Sequence, residues 1–212
     1  NPVLTAENAH NKNIVKNLSV NFYTTYNITK ELTLKVTAAT SSRDTRNEVF
    51  YNSLTPGGSP RNLANSRGIN GRIQFSGINN WANENILTYN KTIKRKHKIN
   101  VLAGFSMQGT KRDRYGYSAQ LLPNEELGIA GFDEGTPLSL IAEESRSTLM
   151  SFFNRINYNY KSRYLFTATF RSDGSSKFAA ENRWGFFPSG AFAWNMVNEK
   201  FMKPLTAISS SK

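Results

Sequence analysis

Hydrophobic and polar side chains alternate one by one over long parts of this chain. In residues 17–28 the even positions Leu18, Val20, Phe22 and Tyr26 oppose Asn17, Ser19, Asn21 and Asn27. After Thr29-Lys30-Glu31, Leu32, Leu34, Val36 and Ala38 continue the apolar set against Thr33, Lys35 and Thr37. A period of two marks a strand with one apolar and one polar face, and two such runs around a short turn predict a hairpin. The pattern returns at 69–92 (Ile69, Ile73, Phe75, Trp81, Leu87, Tyr89) and at 99–107 (Ile99, Val101, Phe105, Met107). It returns again at 148–160 (Met150, Phe152, Ile156, Tyr158, Tyr160), 164–171 (Tyr164, Phe166, Phe170) and 184–194 (Trp184, Phe186, Phe192, Trp194). Asn83 and Asn85 fall on the apolar parity of the third run, so a bulge or register change is expected there.

The connections between these seven predicted strands alternate in length. Short ones follow Ile28, Thr92 and Tyr160; long ones follow Thr40, Gln108 and Arg171, with 41–68 and 109–145 the two longest. Membrane barrels have short turns on one side and long loops on the other. Tyr26, Tyr89, Tyr158, Tyr160, Tyr164 and Trp194 all lie at the short-turn ends, and Trp184 stands ten residues from Trp194. Ten strand residues at about 3.3 Å each, tilted roughly 40°, span about 25 Å, the height of a lipid-facing band. With Trp81, these eight aromatics are the candidate membrane-interface residues. The pattern predicts an all-β, antiparallel, up-and-down transmembrane barrel. Seven strands do not close such a barrel, so residues 1–212 are expected to be a single segment of its wall. A soluble all-β carbohydrate-binding or adhesin module is the alternative, and a need for detergent in extraction separates the two.

The run RYLFTATFRSDGSSKF, followed by NRWGFFPSGAFAWNMVNEKFM, resembles the hallmark region of the SusC/RagA-type TonB-linked outer-membrane proteins. SFFNRINYNYKSRY, ENILTYNKT and HKINVLAGFSMQ agree with the same family. Nothing in the chain looks like that family's signal sequence, TonB-box segment or plug domain. The resemblance implies a 22-stranded barrel in the outer membrane, importing glycans or peptides with energy from TonB and working with a SusD-like lipoprotein.

Composition changes this picture little. The net charge of +12 raises nucleic acid as a partner. The basic run KTIKRKHK, however, has no interleaved stacking aromatics and reads as a solvated turn, and basic turns beside lipid headgroups account for the charge. A mean hydropathy of −0.52 is compatible with a barrel, in which only alternate residues face lipid. No apolar run approaches the length of a transmembrane helix. Cysteine is absent, and His10 and His97 stand far apart with no carboxylate pair beside either, so no metal site or cofactor is expected. Asp173-Gly174 is turn chemistry rather than a catalytic loop, and no enzyme activity is expected. The candidate substrate or partner residues lie in the long connection 109–145: Arg112, Arg114, Tyr115, Tyr117 and Phe132, since loops on a rigid scaffold commonly carry function.

Overall fold

The structure, a computed structural model, describes residues 8–202. The terminal parts of the expected 1–212 segment lie outside the described residues. Seven strands form one sheet in chain order: β1 (Ala9–Asn27), β2 (Leu32–Tyr51), β3 (Asn70–Ile93), β4 (His97–Gln120), β5 (Thr136–Tyr160), β6 (Tyr164–Ser175) and β7 (Trp184–Trp194). This is the up-and-down order the alternation predicts, with β1 and β7 at the two ends of the order. Short 3₁₀ turns cover Gly128–Glu134, Ala180–Asn182, Met196–Asn198 and Lys200–Met202.

The chain divides into two compact units. One takes in Val20–Thr40, Trp81–Gly109 and the described residues from Ser147 onward. Its two faces are chemically opposite. β6 and β7 pair antiparallel with Tyr164 opposite Trp194, Phe166 opposite Phe192 and Gly174 opposite Trp184. Rings meet across this face: Phe166–Phe192 at 4.8 Å, Phe170–Phe186 at 6.2 Å and Phe105–Phe152 at 5.1 Å. Small residues make room for large ones, since a Cβ on Gly174 would stand 2.9 Å from the Trp184 ring. Among the described residues no layer covers these rings: Phe166 is 48 % and Phe192 58 % exposed. The opposite face is a ladder of neutral polar groups. Asn100 Nδ2 donates to Asn90 Oδ1 at 2.7 Å, Asn157 Nδ2 to Asn100 Oδ1 at 2.9 Å, and the Thr167 hydroxyl to Asn157 Oδ1 at 2.9 Å. Four neighbouring strands are thereby linked side chain to side chain.

The turns of this unit are tight. Lys94 and Arg95 (φ 50° and 55°) are the central residues of one β-turn, and Lys161 and Ser162 (φ 53° and 55°) of another. Both are closed by backbone bonds, Lys96 N–H to the Ile93 carbonyl and Arg163 N–H to the Tyr160 carbonyl. Such turns match strand twist, but each non-glycine left-handed residue costs about 1–2 kcal/mol.

The other unit takes in Ser41–Asn80, Thr110–Arg146 and the described residues up to Ser19. It has a small core of its own, Phe50, Ala119, Leu122 and Phe132, against which Ile69, Ile73, Tyr117 and Ile129 pack. Phe132 seats over Gly71, where a Cβ would stand 2.6 Å from the ring tip, so only glycine admits it. Glu125 ties the two loops together by accepting the Ser53 N–H at 2.6 Å and the Ser53 hydroxyl at 2.9 Å.

Three expectations are corrected. The connection 109–145 is mostly strand and 41–68 is strand in its first part, because β2 runs on to Tyr51, β4 to Gln120, and β5 starts at Thr136; 52–69 remains a loop. Alternation fades there because charges occupy both parities, and cross-strand ion pairs such as Arg114–Glu143 (2.8 Å) and Lys111–Glu144 (3.3 Å) join the strands instead. The first strand also starts earlier than the alternation at 17–28 marks, from Ala9. Finally, β3 is unbroken through Asn83 and Asn85. Trp81 packs at Gly109 while Asn90, of opposite parity, joins the amide ladder, so the alternation passes through without a slip. The two asparagines satisfy each other instead: Asn85 Nδ2 donates to Asn83 Oδ1 at 2.6 Å and Asn83 Nδ2 to the Thr37 carbonyl at 3.1 Å.

Facing is directly testable. In the full-length protein, Phe166→Arg should block barrel assembly, at about 2–4 kcal/mol for a midplane arginine on a lipid face. Ala191→Arg, on the polar face opposite Thr167, should assemble normally. Heat-modifiable migration on a gel reads both, and equal behaviour of the two variants would refute the assignment of faces.

Candidate functional site

The short-turn end of the sheet carries an aromatic row. Tyr160 stacks on Tyr164 at 6.4 Å and Tyr164 on Trp194 at 6.5 Å; Trp194 meets Phe201 at 6.3 Å. His97 joins from β4, 4.9 Å from the Tyr160 ring and with Nδ1 2.7 Å from the Tyr158 hydroxyl. Tyr26 and Tyr89 stand outside this row, 66 % and 38 % exposed. Farther from the short turns, Trp184 stacks on Phe152 at 6.1 Å, and Trp81, midway along β3, covers Gly109, where a Cβ would collide with the indole.

Glu199 locks the row. It lies in the segment after β7, is nearly buried, and accepts the Tyr164 hydroxyl at 2.8 Å and the Trp194 indole N–H at 3.4 Å. Arg163 Nη1 pairs with its other oxygen at 3.0 Å. The Tyr164 hydrogen bond, with smaller contributions from Trp194 and Arg163, holds the Glu199 carboxyl below the usual carboxylate range. The sequence groups these residues only through the family resemblance of NRWGFF…NEKFM; alternation carries no sign that Arg163, Tyr164, Trp194 and Glu199 converge.

The five candidate loop residues are not one loop. Arg112, Arg114, Tyr115 and Tyr117 lie on β4. Arg114 Nη2 donates to Glu143 Oε1 at 2.8 Å. Arg112 and Arg114 help line a cavity of about 310 Å³ with Gly77, Asp113 and Glu144. Tyr115 is 46 % exposed. Tyr117 meets Phe132 edge-on at 5.4 Å, and Phe132 is 2 % exposed. Phe132 is therefore a core anchor with no ring face left for a ligand, which corrects its place among the candidate substrate or partner residues.

A larger cavity, about 520 Å³, escaped the sequence reading because part of its lining lies in the stretch read as a loop. Tyr51, Arg67, Asn70, Arg72, Gln74 and the Ser118–Ser139 hydroxyl pair (2.7 Å apart) line it. It contains two guanidinium groups and no carboxylate. The polar partners of Ile73 and Phe75 in β3, Arg72 and Gln74, were the available signal.

An open antiparallel sheet with one bare aromatic face, one neutral polar face and an aromatic row at the turns is the wall of a membrane β-barrel. Comparison with known proteins gives its family. No protein-family model matches the chain. TonB-dependent receptor P3 of Formosa agariphila is 33 % identical over the whole chain, and TonB-dependent receptor P39 of the same organism 34 %. TonB-dependent receptor SusC of Bacteroides thetaiotaomicron is 49 % identical over 71 residues, 34 % of the chain. The RagAB peptide transporter structure superimposes on 93 % of the chain with a TM-score of 0.77 at 23 % identity, and the match takes up 22 % of that chain. The chain is a segment of the TonB-dependent receptors of the SusC/RagA kind. It spans about a fifth of the length of the curated relatives it matches (21 % and 20 %).

The Glu199 lock has a pH signature. A carboxyl whose folded pKa is depressed adds stability above its unfolded value, about 4.3, and loses it as pH falls through the folded value. Denaturant unfolding of the full-length protein in lipid should show wild type losing stability between neutral pH and acid below about pH 4. Glu199→Gln should be weaker at pH 7 and flatter across that window. Equal pH slopes would remove Glu199 from the account.

Proposed function

We propose that the whole protein is an outer-membrane active transporter and that this chain supplies seven strands of its barrel wall. The observation that carries the reading is the relation to TonB-dependent receptors along the entire chain. The two-faced sheet supports it. On this reading the aromatic face looks at lipid and the ladder of asparagines and threonines looks at a wet lumen. Tyr26, Tyr89, Tyr158, Tyr160, Tyr164 and Trp194 mark the inner interface of the bilayer, Trp81 and Trp184 the outer one.

Energy reaches the barrel through TonB, and a SusD-like lipoprotein works with it at the cell surface. The cargo is a glycan or a peptide. Among the wall groups, Arg72, Gln74 and Tyr51 of the larger cavity, together with Arg112 and Arg114, supply hydrogen-bond donors and a ring for polar cargo or for the lipoprotein. Tyr115 adds an exposed ring. Tyr117 and Phe132 act indirectly, by packing the Gly128–Glu134 segment against β4.

A passive porin shares this architecture, and dependence on energy separates the two. Uptake is measured with a panel of labelled oligosaccharides and peptides in cells with and without the gene for the full-length protein. The expected result is that at least one panel member enters only with the gene, and that its entry stops when TonB is deleted. Entry that continues without TonB would make the protein a porin, and identical uptake with and without the gene would overturn the transport reading.

A further inference from the structure

The three short turns and the segment after β7 are tied to their neighbours by a series of backbone bonds. Asn90 N–H donates to the Glu31 carbonyl at 2.8 Å, Lys161 N–H to the Lys96 carbonyl at 2.7 Å, and Asn195 N–H to the Arg163 carbonyl at 2.6 Å. This rim carries Lys30, Lys94, Arg95, Lys96 and Lys161, all exposed. The acids beside them are already engaged. Glu31 is held by Lys91 at 2.8 Å, and Glu199 by Arg163 at 3.0 Å and Tyr164 at 2.8 Å. Among the described residues none of the five cations makes an ion pair.

The backbone beneath three of them is itself unusual. Lys94, Arg95 and Lys161 have φ of 50°, 55° and 53°, a conformation that glycine or asparagine adopts with far less strain. Among the described residues the fold offers these turn cations little electrostatic return, Lys161 over the Tyr160 ring being the one contact of its kind. The aromatic row lies alongside: Lys161 Nζ is 4.9 Å from the centre of the Tyr160 ring, and Tyr160 stacks on Tyr164. Tyrosines of this kind sit where hydrocarbon meets headgroups. At about 3.3 Å per strand residue, the turn cations fall just beyond that boundary, at the depth of lipid phosphates.

We infer that this rim binds anionic phospholipid, with the Lys94-Arg95-Lys96 turn and Lys161 holding the headgroup phosphate while its acyl chains lie along the aromatic face. The inference rests on the outer-membrane reading above. The aromatic row distinguishes a lipid from an acidic soluble protein, which would meet the charges but leave the rings bare. Each cation near an anionic surface raises affinity about fivefold.

The full-length protein is reconstituted in nanodiscs of mixed phosphatidylglycerol and phosphatidylcholine, and retained lipid is counted by native mass spectrometry. The test variant carries Lys94→Asn, Arg95→Asn, Lys161→Asn and Lys96→Gln. Asparagine tolerates the left-handed turn, so charge is removed without loosening the backbone. A control removes the same charge elsewhere: Lys12→Gln, Arg43→Gln, Arg61→Gln and Lys177→Gln. Heat-modifiable migration checks barrel insertion separately, and failure of wild type to insert would count against the outer-membrane reading itself. With insertion intact, wild type and control should enrich phosphatidylglycerol, and the test variant should lose that preference at least tenfold. No enrichment by wild type, or an unchanged preference in the test variant, overturns the inference. Equal loss in the control overturns it too, by assigning the effect to net charge. Unchanged lipid preference with loss of a co-purifying acidic protein would give the rim to a protein partner instead.

Discussion

A backbone amide or carbonyl in hydrocarbon has no water to bond, and leaving it unpaired costs several kcal/mol. That constraint governs this chain. It makes strand pairing obligatory and assigns side chains to lipid or to water by parity alone. The faces of β6 and β7 follow from it: rings and small residues at even positions, Thr167, Thr169, Ser189 and Ala191 at odd ones, with Leu165 and Phe187 the apolar exceptions. The side chains then have two different tasks. On the aromatic face they fit ring against glycine and ring against ring; on the other face they satisfy one another's hydrogen bonds, as Asn90, Asn100, Asn157 and Thr167 do.

The ends of the strands are where the chain departs from repetition. Near the short turns, Glu199 gathers a tyrosine, a tryptophan and an arginine into one cluster. The turns themselves accept left-handed lysine and arginine. In the other unit a small apolar core appears, its side chains buried against one another. Phe132 supplies it by folding onto Gly71 between Phe50 and Tyr117.

What the sequence reveals follows from the same physics. Strand number, order, faces and the three short turns are legible because lipid enforces strict alternation and the aromatics cluster at the turn ends. The outer extents of β2, β4 and β5 are not, because Lys111-Arg112-Asp113-Arg114 places charge on both parities where both faces are wet. Asn83 and Asn85 mimic a bulge because a pair of amides on the apolar face satisfies itself locally. The larger cavity draws on positions from β2, β3, β4, β5 and the loop before β3, a convergence that no local pattern announces. Family resemblance marks the segment around Glu199 as notable, but only the three-dimensional arrangement gives it a task.

The central claim is that even positions of β6 face lipid and odd positions face water. The chain has no cysteine, so single cysteines placed in turn at Phe166, Thr167, Ala168, Thr169 and Phe170 of the full-length protein, itself cleared of any others, can each carry a spin label. In lipid bilayers, collision rates with oxygen and with a water-soluble nickel chelate report the surroundings of each label. The account predicts oxygen maxima at 166, 168 and 170 and nickel maxima at 167 and 169. Rates that do not alternate, or that alternate in the opposite phase, would contradict it.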